Sequence, residues 1–114
     1  MLRRLLASLN RIPGVRGTSV VDEHGRVRAS LVEDQDENVF SSEVPLALRQ
    51  ANELCKDAGI GPVDQVWATG SNGRVGIASM AAGASLVIVC NRESALGRLR
   101  HEVGRSRPTM KELI

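Results

Sequence analysis

The hydrophobic pattern predicts an α/β fold, a three-layer α/β/α sandwich with a five-stranded, mainly antiparallel sheet. Three observations carry this reading. Two hairpins are visible, Thr18–Val21 with Val27–Val32 and Val66–Thr69 with Arg74–Met80, each turning at a glycine-bearing segment. A long helical pattern separates them, and helical patterns open and close the chain. The run Leu86-Val-Ile-Val-Cys90 is apolar without alternation, as in a central strand covered on both faces. The element order is α-ββ-α-βββ-α, with the middle helix on one face of the sheet and the terminal helices on the other.

The first helix is expected over about Leu2 to Arg11, because Leu2, Leu5, Leu6, Leu9 and Ile12 recur at helical spacing until Pro13-Gly14 stops them. No acid precedes Asp22, which also suits an organelle targeting peptide. The direct run into a strand favours a helix of the fold. In the first hairpin, Gly25 supplies the residue that reaches positive φ in the turn Glu23-His24-Gly25. The polar run Glu33–Asn38 reads as a solvated loop.

The second helix is expected from a hydroxyl cap at Ser41-Ser42, with Pro45 in its first turn, to a stop at Gly59. Val44, Ala47, Leu48, Ala51, Leu54, Cys55 and Ala58 form its apolar stripe. Glu43, Arg49, Gln50, Glu53 and Asp57 lie outside it, and so does the apolar Leu46. The second hairpin turns at Ser71-Asn72-Gly73, and Gly76 and Ala78 share one face of its return strand. Asn91 is a cap for the third helix, which carries Leu96, Leu99 and Val103 and is expected to end at Gly104. The domain is therefore assigned to residues 1–104, with 105–114 as a short basic tail that continues only as a turn.

The 114 residues amount to one domain, with 42% hydrophobic and 25% charged residues. Phe40 and Trp67 are its only aromatics, so the core depends on Leu, Val, Ile and Ala. Small cores of that kind are often completed by a second subunit. Cys55 and Cys90 sit in apolar runs and read as buried thiols of a reducing, cytoplasmic compartment. No run approaches the length that spans a bilayer. The net charge of +2 is unevenly spread: residues 1–21 carry +4, 22–64 carry −6 and 65–114 carry +4. That division suits salt-sensitive docking to another protein.

No catalytic constellation is visible, and the reading is of a protein that is not an enzyme. The phosphate-binding loop signature is missing, and Gly70, Gly73 and Gly76 straddle a hairpin turn, not a strand-to-helix junction. Asp34-x-Asp36-x-Asn38 starts like a calcium loop, but Val39 and Pro45 fill the positions that need Gly and an acid. His24 and His101 have no partners at ligand spacing, so no metal and no cofactor is expected. Ser79 and Ser85 read as packed strand residues and not as nucleophiles. Arg92, Arg98, Arg100, Arg105 and Arg107 lack companion aromatics and are interrupted by Glu93 and Glu102, which favours a solvated helix face over nucleic-acid binding.

Ile12-Pro-Gly-Val15, the Val20-Val-Asp22 to Gly25 hairpin, the long central helix and the Thr69–Gly73 turn together resemble the Roadblock (dynein light chain) family, in its bacterial and archaeal MglB-like branch. The resemblance covers nearly the whole chain and implies a Roadblock/profilin-like fold. It also implies a homodimer whose sheets join through the third strand while the central helices lie side by side. Such proteins regulate or scaffold small Ras-like GTPases. A GTPase-binding, non-catalytic regulator that modulates the nucleotide cycle or localisation of its partner is therefore expected. The alternatives are an adaptor subunit indifferent to nucleotide state, and a small-molecule sensor.

The expected dimer interface comprises Val44, Leu48, Ala51, Val66, Trp67 and Ala68, since Val66–Thr69 would be an exposed edge unless paired. Trp67 suits a local core position equally well. The expected partner face is the outer side of the second helix, Leu46, Arg49, Gln50, Glu53 and Asp57.

Overall fold

The computed structural model describes residues 2–32 and 43–113. It contains α1 (Leu2–Asn10), β1 (Val15–Val21), β2 (Val27–Val32), α2 (Glu43–Asp57), β3 (Gln65–Gly70), β4 (Gly73–Ser79), β5 (Ser85–Cys90) and α3 (Leu96–Leu113). A single 3-10 turn, Ala81–Gly83, links β4 to β5. The sheet order is β2-β1-β5-β4-β3, and every neighbouring pair is antiparallel. The predicted α-ββ-α-βββ-α sandwich is the observed one. The Ser41-Ser42 cap and the acidic loop Glu33–Asn38 fall outside the described residues.

Each hairpin forms a pair of neighbouring strands, and β5 is inserted between them as the central strand. This explains why β5 lacks alternation. Leu86, Ile88 and Cys90 point to the layer of α1 and α3, and Val87 points to α2. The first hairpin closes on Asp22, whose Oδ1 accepts the backbone N–H groups of His24 and Arg26, each at 2.9 Å. The Arg26 N–H bond is the largest influence on this carboxyl and holds its pKa below the ordinary aspartate value. The His24 N–H bond and the nearby His24 and Arg26 charges act in the same direction, against a contribution from burial.

α2 ends as the sequence predicts. Ile60 N–H bonds the Cys55 carbonyl and Gly59 N–H bonds the Lys56 carbonyl, with Gly59 at φ 72°. That pair of bonds is the Schellman stop, which needs a residue at ease in the left-handed region.

α3 does not end at Gly104. It continues through Pro108 to Leu113, so the segment expected to be a tail with one turn is helix. Its anchor is long-range. Arg107 donates through Nε to the Ser79 carbonyl, through Nη2 to Ser79 Oγ at 2.8 Å and through Nη1 to Asp64 Oδ1 at 3.0 Å. A proline inside a helix costs about 3 kcal/mol, and charged hydrogen bonds of about 1.5–3 kcal/mol each are of the size needed to oppose it.

The two faces of the sheet are packed unequally. Under α1 and α3 lies the main core, with Leu6, Val20, Leu86, Ile88, Cys90, Leu99 and Val103 almost inaccessible. Thr18 Oγ1 donates to Asn10 Oδ1 at 2.9 Å, and Asn10 Nδ2 donates to the Leu31 carbonyl, tying α1 to β1 and β2. Under α2 the buried set among the described residues is Val21, Val44, Ile77 and Val87, with Ala47, Leu48 and Val75 packed against it. Val44 is 3% exposed and belongs to this small core. One sequence expectation is corrected here. Leu54, expected in the buried stripe, is 71% exposed. Among the described residues α2 therefore seats through Val44, Ala47 and Leu48, while Leu54 and Ala58 in its later turns are exposed.

Candidate functional site

The candidate site is the β3 edge together with the adjoining flank of α2. Among the described residues β3 pairs with β4 alone. The register places Gly70 opposite Gly73 across the two-residue turn Ser71-Asn72. A two-residue hairpin makes that flanking pair the hydrogen-bonded one. Alternation then turns the backbone N–H and C=O of Gln65, Trp67 and Thr69 away from β4. These polar groups form a row along the free margin of the sheet.

Side chains of β3 alternate between the two layers. Trp67 lies on the α3 side, packed against the main core. Its ring occupies the space above Gly76, where an added Cβ would lie 2.6 Å from ring carbons. The indole N–H donates to Gln65 Oε1 at 2.9 Å, and Gln65 Nε2 donates to the Arg100 carbonyl at 3.2 Å. Trp67 is thus half-buried and locks β3 to α3. Val66 and Ala68 sit on the α2 side, opposite Ile77 and Val75, with Val66 half-buried and Ala68 exposed.

At about 100° per residue, Ala47, Ala51, Leu54 and Ala58 follow one side of α2. Ala47 and Ala51 are half-buried, while Leu54 and Ala58 are exposed. Ile60, just past the helix, is 73% exposed. Sequence reasoning missed Leu54 and Ile60 as surface residues. The available signal was helical angle, which puts Leu54 at the margin of its stripe, well away from Val44. Arg49, Gln50, Glu53 and Asp57 are exposed as expected, and Leu46 is 46% exposed among them.

The opposite side of α2 borders a groove of about 440 Å³ lined by Glu23, Leu48, Arg49, Asn52, Ser79 and Gly83, among others. Leu48, expected at the interface, lines this groove and packs on the small core. Asn52 Oδ1 accepts the Val63 N–H at 3.0 Å, which holds the loop after α2 alongside the helix.

Among the described residues no three of His, Cys, Asp and Glu converge in a way that could hold a metal ion. Cys55 is half-buried and Cys90 buried, and neither forms a disulfide. No described helix is long and apolar enough to cross a membrane. The site therefore presents hydrogen-bonding backbone, apolar surface and a charged helix face, which are the elements of protein association.

Residues 1–90 match the Roadblock/LC7 domain family, and the chain belongs to that family. Its structure resembles MglB of Myxococcus xanthus with a TM-score of 0.87 at 14% identity, covering 98% of this chain and 93% of that one. It resembles the gliding protein MglB of Thermus thermophilus with a TM-score of 0.83 at 17% identity, covering 97% and 86%. A Roadblock/LC7 domain from Streptomyces avermitilis gives 0.80 at 18% identity, covering 94% and 95%. These likenesses establish the fold. The comparison with curated proteins gives no match.

Proposed function

We propose that this protein is a homodimeric, non-catalytic regulator or scaffold of a small Ras-like GTPase, acting in the cytoplasm. The observation that carries the reading is the β3 margin: a strand that, among the described residues, pairs on one side only, beside an exposed apolar flank of α2. An edge of that kind is a liability unless covered. Pairing β3 with its own copy about a two-fold axis satisfies the outward backbone groups of Gln65, Trp67 and Thr69. It also brings two copies of the Ala47, Ala51, Leu54 and Ala58 side together, where small residues permit close helix approach. Val66 and Ala68 then lie beneath the paired helices.

Membership of the Roadblock/LC7 family and the likeness to MglB support a GTPase as the partner. Leu46, Arg49, Gln50, Glu53 and Asp57 face outward from the paired helices and form the docking surface. The dimer acts by favouring one switch conformation of the GTPase, which shifts a population without supplying a catalytic group. The test is sedimentation velocity at micromolar protein, followed by capture of the small GTPase encoded nearest to this chain, loaded with GDP or a GTP analogue. A dimer with nucleotide-dependent capture, abolished by Leu46→Asp or Arg49→Ala, is expected. A stable single subunit overturns the reading. Capture indifferent to nucleotide assigns the protein instead to the adaptor class.

A further inference from the structure

The sheet separates two layers of unlike charge. α1 contains Arg3 and Arg4 and no acid, and it packs beside α3 on one face. α3 adds Arg98, Arg100 and Arg105, all exposed. Glu102 answers only Arg105, at 3.5 Å. Among the described residues Arg3, Arg4, Arg98 and Arg100 have no carboxylate within ion-pair distance. Arg107 is not part of this surface, because Asp64 and Ser79 hold it. The acids Glu43, Glu53 and Asp57 all belong to α2, on the other side of the sheet.

The placement of these arginines opposes local helix stability. Neither α1 nor α3 has an acid in its first turn. Both have arginine there instead, Arg3 and Arg4 in one and Arg98 in the other. The positive end of a helix dipole repels such side chains. The two first turns lie at opposite ends of the face, because Gly14 just after α1 meets Asn91 and Ser94 just before α3, so the arginines are spread along one surface.

We infer that the α1/α3 face is a docking surface for an anionic lipid bilayer. Two helices lying side by side on a sheet give a broad face, which suits a surface better than a strand, with one hollow of about 410 Å³ at the end where Arg98 and Glu93 meet Pro13. The described part of the face carries no exposed Phe, Tyr or Trp to stack on bases, as single-stranded nucleic acid binding favours. Arginines on it are spread over both helices and, Arg105 with its Glu102 contact aside, have no carboxylate partner among the described residues, so each contributes separately to attraction by a negative leaflet. The contact is peripheral and electrostatic, since the leucines of α1 are turned into the core. It does not rest on the dimer or on a GTPase.

The test is co-sedimentation of the full chain with sucrose-loaded phosphatidylcholine vesicles, plain or with about a third phosphatidylserine. Binding to the anionic vesicles alone is expected, falling steeply as ionic strength rises. At about fivefold per arginine, Arg4→Gln/Arg98→Gln/Arg105→Gln weakens it roughly a hundredfold. Arg26→Gln/Lys56→Gln, which removes two positive charges away from the face, leaves it within about twofold by the same reasoning. All five residues are exposed, and an unchanged circular dichroism spectrum shows that each variant folds. Equal binding to plain vesicles, equal loss in both variants, or tighter retention on duplex DNA than on anionic vesicles overturns the inference. GTPase capture does not enter the readout, so failure here leaves the proposed function standing.

Discussion

The ring of Trp67 fills the space that Gly76 leaves by having no side chain, and this contact fastens the edge strand to the rest of the sheet. A Cβ on residue 76 would lie 2.6 Å from the ring, so the indole must move if one is added. Gly76→Ala is expected to cost about 1–3 kcal/mol through overpacking. In a Trp67→Leu background the same substitution is expected to cost much less, because the obstructing ring is gone. Urea unfolding followed by circular dichroism measures the double-mutant cycle. Additive effects would mean that the two residues are not coupled.

Arg107 is expected to hold the later turns of α3 in place. Arg107→Ala removes bonds to the Ser79 carbonyl, Ser79 Oγ and Asp64. A loss of about 1.5–3 kcal/mol follows if the bonds to Ser79 dominate. Asp64→Ala, which deletes only the partner whose side chain is 79% exposed, is expected to cost under about 1 kcal/mol. Arg107→Lys recovers only part of the loss, because an ammonium cannot reproduce the guanidinium fork. Amide exchange over residues 105–110 is the direct readout, and unchanged protection in Arg107→Ala would remove the anchor from the account.

These two contacts show where the sequence was legible and where it was not. The hairpins and the central β5 are local patterns, alternation and its absence, and could be read residue by residue. Gly59 likewise announces its helix stop through local backbone chemistry. Gly104 and Pro108 also look like stops, but the bonds that keep α3 helical join Arg107 to residues 28 and 43 positions away. The periodicity of α2 identifies its apolar stripe correctly. It cannot say how much sheet lies beneath, so Leu54 reads as core although it is exposed. Alternation puts Trp67 opposite Val66 and Ala68, but the layer each meets depends on the crossover through β5.

Asp22 makes the first hairpin acid-sensitive. Its carboxylate accepts the His24 and Arg26 N–H groups, and its folded pKa is lowered. A depressed carboxyl contributes stability that is present in full above the unfolded pKa and is lost as pH falls through the folded value. Asp22→Asn keeps an acceptor oxygen but cannot titrate. The variant's urea midpoint is therefore expected to vary less between about pH 5 and pH 2 than that of the parent protein. Identical pH slopes would show that Asp22 carries no such linkage.

The β3 margin permits a substitution that separates dimer formation from folding. Thr69 is exposed, and its N–H points away from β4 in the register set by the Gly70–Gly73 pair. Thr69→Pro therefore removes a donor from the free edge without breaking a bond to β4. Val66 and Ala68, whose N–H groups do bond β4, are unsuitable for the same test. If two copies pair through β3, Thr69→Pro is expected to sediment as a folded single subunit. Leu54→Asp acts on the other half of the same contact by placing a charge between the paired helices. It should weaken the dimer at least about tenfold while costing the subunit little, because Leu54 is 71% exposed. Measured by sedimentation velocity over a range of protein concentrations, the two variants should show the same monomer with the same dichroism spectrum. If Thr69→Pro remains a dimer and Leu54→Asp does not, the copies meet through α2 alone and the sheets do not join.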